Sequence, residues 1–204
     1  MRSAILVLVF SIVFTPKAKS QYELVELALY YFLSWDECSM QFETRPSLNN
    51  TFYTWSLRGG HTNYNGNFTG GMTFNYSRDN LHGLIDHGKF TNYHVGLYLE
   101  KKFRPDPNQR IYFSIPLSAT VGETIANDVV NPNPFSTFNT RSTFWMIEPE
   151  LLLNYGLGNH AQFYFGAGYR FCRGSTTFGL SDELISGPSL QLGFRFGDFT
   201  PWEP

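Results

Sequence analysis

Seven ionisable residues fall where alternation would place them on one side of a sheet: Arg58, His94, Glu100, Glu148, Glu150, Arg170 and Arg195. Each lies in a stretch where apolar or aromatic residues take every second position, so each belongs to the opposite parity. Guanidinium groups, carboxylates and an imidazole on one face can pair as a salt-bridge network, pass protons or ions, or supply acid–base groups. Pairing is expected first, because an isolated buried ion costs several kcal/mol. A catalytic use needs a nucleophile, a base and an orienting group within reach of one another. His94 has no serine beside it on its own parity, and no Gly-x-Ser-x-Gly stretch occurs.

Other candidates are weaker. His82, Asp86 and His87 could bind a metal in a suitably folded loop, but they lack the i, i+4 helical pairing of zinc proteases. Gly70 and Gly71 have no strand–loop–helix context for phosphate, and they suit strand positions approached closely by bulky neighbours. No motif calls for a cofactor. The net charge of −2 gives no case for nucleic acid.

The elements that must position the seven are strands. Phe52–Arg58, Asn67–Ser77, Asn92–Lys101, Arg110–Val121, Phe144–Tyr155, Ala161–Phe171 and Ser189–Phe196 all alternate. In the last, Leu190, Leu192, Phe194 and Phe196 oppose Ser189, Gln191, Gly193 and Arg195. Pro116 costs the fourth stretch a ladder hydrogen bond and predicts a bulge. About ten residues of such alternation between turns is what a membrane-spanning barrel strand needs.

Gly59–Gly66, Phe103–Gln109 and Gly156–Asn159 are short connections, whereas Arg78–Lys89, Gly122–Ser142 and Arg173–Gly187 are long. Bacterial barrels have short periplasmic turns, long outer loops and an even number of strands. An eighth strand is therefore required before Phe52. Cys38–Glu43 alternates cleanly, and Tyr22–Leu33 is longer but lacks period-two order; the strand is expected near Glu37–Thr44. Cys38 would then lie at the periplasmic end and Cys172 at the outer end, out of disulfide reach. Were Tyr22–Leu33 the strand, Cys38 would be a loop residue and the bond feasible.

Composition agrees with a membrane barrel. Aromatic residues make up 18% of the 204 residues and charged residues only 16%, against about 25% charged in soluble domains. Arg2, the apolar run Ala4–Phe14 and Ala18-Lys19-Ser20 read as a signal peptide over residues 1–20, cleaved before Gln21. The barrel domain is then 21–204, with 21–35 either an extra strand or an interfacial helix.

Ile147–Phe199 resembles the C-terminal half of small outer-membrane β-barrel proteins of the Bacteroidetes type, eight-stranded like OmpA and OmpX. Pro149-Glu-Leu-Leu-Leu-Asn-Tyr155, Phe165-Gly-Ala-Gly-Tyr169 and Gly187-Pro-Ser-Leu-Gln-Leu-Gly-Phe-Arg-Phe196 carry the resemblance. It implies an all-β, antiparallel, up-and-down transmembrane barrel inserted by the outer-membrane assembly machinery. These motifs are structural and transfer no functional residue. Such barrels often end on an aromatic residue, whereas this chain runs on to Thr200–Pro204, so the terminal signal would be Phe196 or Phe199.

The expected protein is thus a monomeric barrel of the bacterial outer membrane, in contact with its lipid, with a filled lumen and a structural or recognition role. A surface ligand would bind the long loops, where Asn131-Pro-Asn-Pro-Phe135 and Phe138 stand out. Two rivals stand beside it. A soluble lipocalin-like barrel would turn the aromatic parity inward around an apolar ligand. A barrel enzyme or narrow pore would act on lipids or small solutes.

Overall fold

Alternating stretches of ten or more residues, separated by turns, can satisfy every backbone hydrogen bond only by pairing with neighbours and closing the edges. In the computed structural model they do so; residues 36–46, 51–63, 65–81, 88–104, 109–130, 137–177 and 180–199 are described. The strands are β1 (Glu37–Pro46), β2 (Thr51–Thr62), β3 (Phe68–Leu81), β4 (Gly88–Phe103), β5 (Ile111–Val130), β6 (Thr137–Gly156) and β7 (Ala161–Arg173). Two short strands, β8 (Thr176–Thr177) and β9 (Leu180–Ser181), and one helical turn, α1 (Asp182–Ile185), precede β10 (Gly187–Gly197). The eight long strands form a closed antiparallel barrel in which chain neighbours pair and β10 returns to β1.

The register sets the tilt. Directly paired residues lead from Gly197 to Glu37, Gly60, Gly71, Tyr98, Ser118 and Glu148. The same register continues on β7 at Arg170, which faces Gly187. The circuit thus re-enters β10 ten residues from its start (197 − 187 = 10). A stagger of this size over eight strands inclines them by about 40° to the barrel axis.

Glu37–Pro46 is the eighth strand, with Cys38, Met40 and Phe42 on one face and Glu37, Ser39, Gln41 and Glu43 on the other. The signal segment, Tyr22–Leu33, His82–His87, Asn131–Phe135 and Thr200–Pro204 lie outside the described residues. No disulfide joins Cys38 and Cys172. Cys38 pairs with Phe196 at one end of the barrel and Cys172 with Met146 toward the other.

Two expectations are corrected. Pro116 makes no bulge: Ser114↔Leu152 and Leu117↔Pro149 keep one register across it, and the shift falls between Ala126 and Val129. A missing donor costs one rung without requiring an extra residue. Nor is Gly122–Ser142 a loop. β5 and β6 remain paired as far as Val130↔Thr137. Beyond Val121 the apolar alternation stops, so the sequence looks like loop, while the backbone ladder continues without it.

Candidate functional site

The two faces of the wall divide by chemistry. Leu97 (66% exposed), Trp55 and Val121 (63% each), Phe165 and Phe194 all point outward. On β5 the outward apolar run spans Ile111 to Val121, and Glu123 follows. Ten residue steps at about 40° tilt make a belt about 26 Å tall, close to the ~25 Å apolar band of outer-membrane barrels. Rings mark both margins: Tyr76, Tyr93 and Trp145 above, and Phe68, Phe103 and Tyr155 below. Among the described outward positions, charges keep to the margins. Above the belt, Tyr93 donates to Glu123, and Arg141 lies 3.9 Å from the same carboxylate. Near the lower margin Lys101 Nζ sits 4.0 Å from the Phe68 ring centroid.

The inner face is polar and packed. Inward glycines make room for large neighbours. A Cβ on Gly193 would collide with Tyr164 Cζ, and one on Gly71 with Gly59 O. Gly70 faces the other way, 3.8 Å from Leu99 Cδ1, and Gly71 is crowded by the Gly59–Gly60 backbone, so neither meets the close bulky side chain foreseen for both.

All seven residues singled out in the sequence are buried within the barrel. Six of them join in ion pairs, at three levels. At the short-turn end, Arg195 lies 2.9 Å from Glu100 and 3.0 Å from Glu37, and Glu37 also accepts from Lys102 at 2.5 Å. Midway, Arg58 grips Glu150 with both terminal nitrogens, Nη1 donating to Oε2 at 2.7 Å. Toward the long-loop end, Arg170 bridges Glu148, 3.1 Å away, and Glu43. Glu148 also accepts from Ser189 Oγ at 3.1 Å and Gln191 Nε2 at 3.3 Å.

His94 stands apart. Its Nδ1 is 3.0 Å from Thr120 Oγ1 and 3.2 Å from Asn75 Nδ2, while Nε2 has no hydrogen-bond partner among the described residues. Its ring meets Phe144 edge-on at 5.8 Å. Thr120 and Asn75 crowd the same ring nitrogen, so neither can act as nucleophile while the other orients the base from the far nitrogen, and no nucleophile–base–orienter set is made.

Sequence reasoning missed Glu37, Glu43 and Lys102. Glu37 and Glu43 share a parity with Ser39 and Gln41 on a stretch too short to be weighed for charge. Lys102 lies one residue past the expected end of its strand, on the parity of Glu100.

Side chains pack inside the wall toward both ends. Ile185 of α1 packs on Phe144, Met146 and Cys172. The segment carrying it is tied down by Asp182 Oδ1, which accepts from Ser175 N–H at 2.7 Å, and by Ser186 Oγ, which accepts from Cys172 N–H at 2.9 Å. At the opposite mouth Tyr112 donates to Gln162 Oε1 at 2.6 Å, with the Arg104 guanidinium 5.6 Å from its ring centroid. Phe196 is the last outward ring of β10. Phe199 lies past the strand, its N–H bonded to Asn159 O at 2.8 Å.

This geometry defines a closed eight-stranded antiparallel barrel with a polar, charge-paired interior and an apolar exterior. It overturns the lipocalin-like alternative, which needs Phe165 and Phe194 inside and the arginines in water. Several solved barrels are similar in outline. The N-terminal β-barrel domain of Pseudomonas aeruginosa OprF is 13% identical, covering 79% of this chain and 97% of that one, with a TM-score of 0.45. Neisserial surface protein A is 12% identical over 78% and 94%, with a TM-score of 0.46. A major outer membrane protein from Thermus thermophilus is 8% identical over 78% and 98%, with a TM-score of 0.47. No protein-family model and no curated protein matches the chain. The likeness is one of shape, and no residue role passes from those barrels to this one.

Proposed function

We propose that this chain is an outer-membrane β-barrel protein with a filled lumen, serving as a structural or surface-recognition element. One observation carries the reading: the polarity of a soluble protein is inverted, with rings and aliphatic chains outside and paired ions within. In water that exterior would be an aggregation surface. In a bilayer it is the stable arrangement for strands, because closure leaves no open sheet edge facing hydrocarbon. The even strand number and ring-bordered belt support the bacterial outer membrane as its location. The Bacteroidetes-type resemblance, resting on the strand motifs of Ile147–Phe199, belongs to the same proposal.

Recognition is assigned to the long-loop end. β5 continues nine residues past Val121, carrying the β5–β6 hairpin about 20 Å beyond the belt, where a surface ligand could meet it. The outward Phe196 near the end of β10 suits delivery by the barrel-assembly machinery. Membrane fractionation and gel migration with and without heating test the membrane reading. Release only by detergent and a heat-dependent mobility shift are expected; a freely soluble mature chain overturns it.

A further inference from the structure

We propose that the buried charges of β1 select the register in which the barrel closes. Six of the barrel's eight ladders join consecutive strands, and a seventh joins β7 to β10 through the β8–β9–α1 segment, so a connection limits which residues can face each other. The eighth, β1 against β10, joins Glu37 to Gly197 with no connection of its own. Its outer face does not choose a register. Cys38, Met40 and Phe42 oppose Phe196, Phe194 and Leu192. A slip of two residues keeps parity and still sets apolar against apolar.

The inner face does discriminate. Glu37 lies 3.0 Å from Arg195 on β10, and Glu43 pairs with Arg170 on β7. Between them Tyr164 of β7 donates to Gln41 Oε1 at 3.3 Å. Glu37, Gln41 and Glu43 therefore all reach across the seam to the C-terminal strands. A two-residue slip moves each by about 6.6 Å along the strand, beyond ion-pair distance. Glu37 is moreover held by Lys102 Nζ of β4 at 2.5 Å and by Thr62 Oγ1 of β2 at 3.3 Å, so its position is set from outside the seam. Breaking a buried pair leaves a charge without compensation, and fixing register is the best-supported use of such groups.

The test uses the full mature chain refolded in lipid vesicles, with Cys38→Ser and Cys172→Ala removing the native thiols. Phe42→Cys with Leu192→Cys reports the observed register. Phe42→Cys with Leu190→Cys, or with Phe194→Cys, reports a slip of two residues either way. Under mild oxidation the chain with its native charges should cross-link only in the first combination. Adding Glu37→Gln and Glu43→Gln should raise slipped relative to native cross-linking by about tenfold, with the heat-dependent mobility shift retained. Glu150→Gln breaks a pair away from the seam and should leave cross-linking native. Exclusively native cross-linking in the Glu37→Gln, Glu43→Gln chain overturns the proposal and assigns the register to shape, through Tyr164 seated over Gly193. If that chain does not fold, each single glutamine variant is scored alone; native-only cross-linking in both overturns it equally.

Discussion

The Arg58–Glu150 pair shows how a charge can lie inside a barrel wall. Both side chains are nearly inaccessible, and the planar guanidinium meets the carboxylate through two nitrogens. Removing one partner strands the other, so Glu150→Leu alone should destabilise the folded barrel by about 3–5 kcal/mol. Combining it with Arg58→Met should recover most of that loss. Denaturant unfolding in lipid vesicles measures both, and equal losses for single and double variants would refute the pairing. Gly193 makes a second residue-scale case. A side chain there meets both the Tyr164 ring and Met40 O, the latter 2.6 Å from an added Cβ. Gly193→Val should therefore abolish the heat-resistant folded band, whereas Gly158→Ala, with nothing within 4 Å, should keep that band despite its strained backbone. The charged residues were legible one at a time, since parity alone places Arg58, Glu148 and Arg195 together on one face. Their partners were not, because pairs such as Arg58–Glu150 join strands far apart in sequence.

At the scale of elements, a strand is defined differently inside and outside the belt. Within it, lipid-facing positions need apolar side chains, and the alternation shows in the sequence; beyond it, only the backbone ladder matters. That is why Gly122–Ser142 reads as a loop yet pairs through Val130↔Thr137. The same distinction predicts a gradient of tolerance along β4. Leu97→Arg, at mid-belt, should cost about 2–4 kcal/mol, and Phe103→Arg, at the margin, about 0–1 kcal/mol. Unfolding free energies in vesicles should separate the two; equal costs would mean that the belt is not in hydrocarbon. α1 is an element that no periodicity announces. A single helical turn between two-residue strands takes its place from Ile185 packing on Phe144 and Met146, a contact made only once the barrel wall exists.

For the molecule as a whole, the filled lumen of the proposed function predicts no sustained ion conductance. Planar-bilayer recordings of the refolded protein should show a baseline indistinguishable from lipid alone, and stable open levels would argue for the pore alternative. Gel mobility after unfolding should be the same with and without reductant, because Cys38 and Cys172 lie toward opposite ends of the barrel and are not bridged. What the chain determined by itself was local: two-residue periodicity assigns each side chain to one wall face, and turn residues mark one end of the barrel. The stagger of ten and the partners of Glu37, Glu43 and Lys102 belong to the tertiary structure alone. Alternation is periodic and therefore blind to displacement by two residues, so the choice among equivalent offsets rests on contacts between strands that the sequence holds far apart.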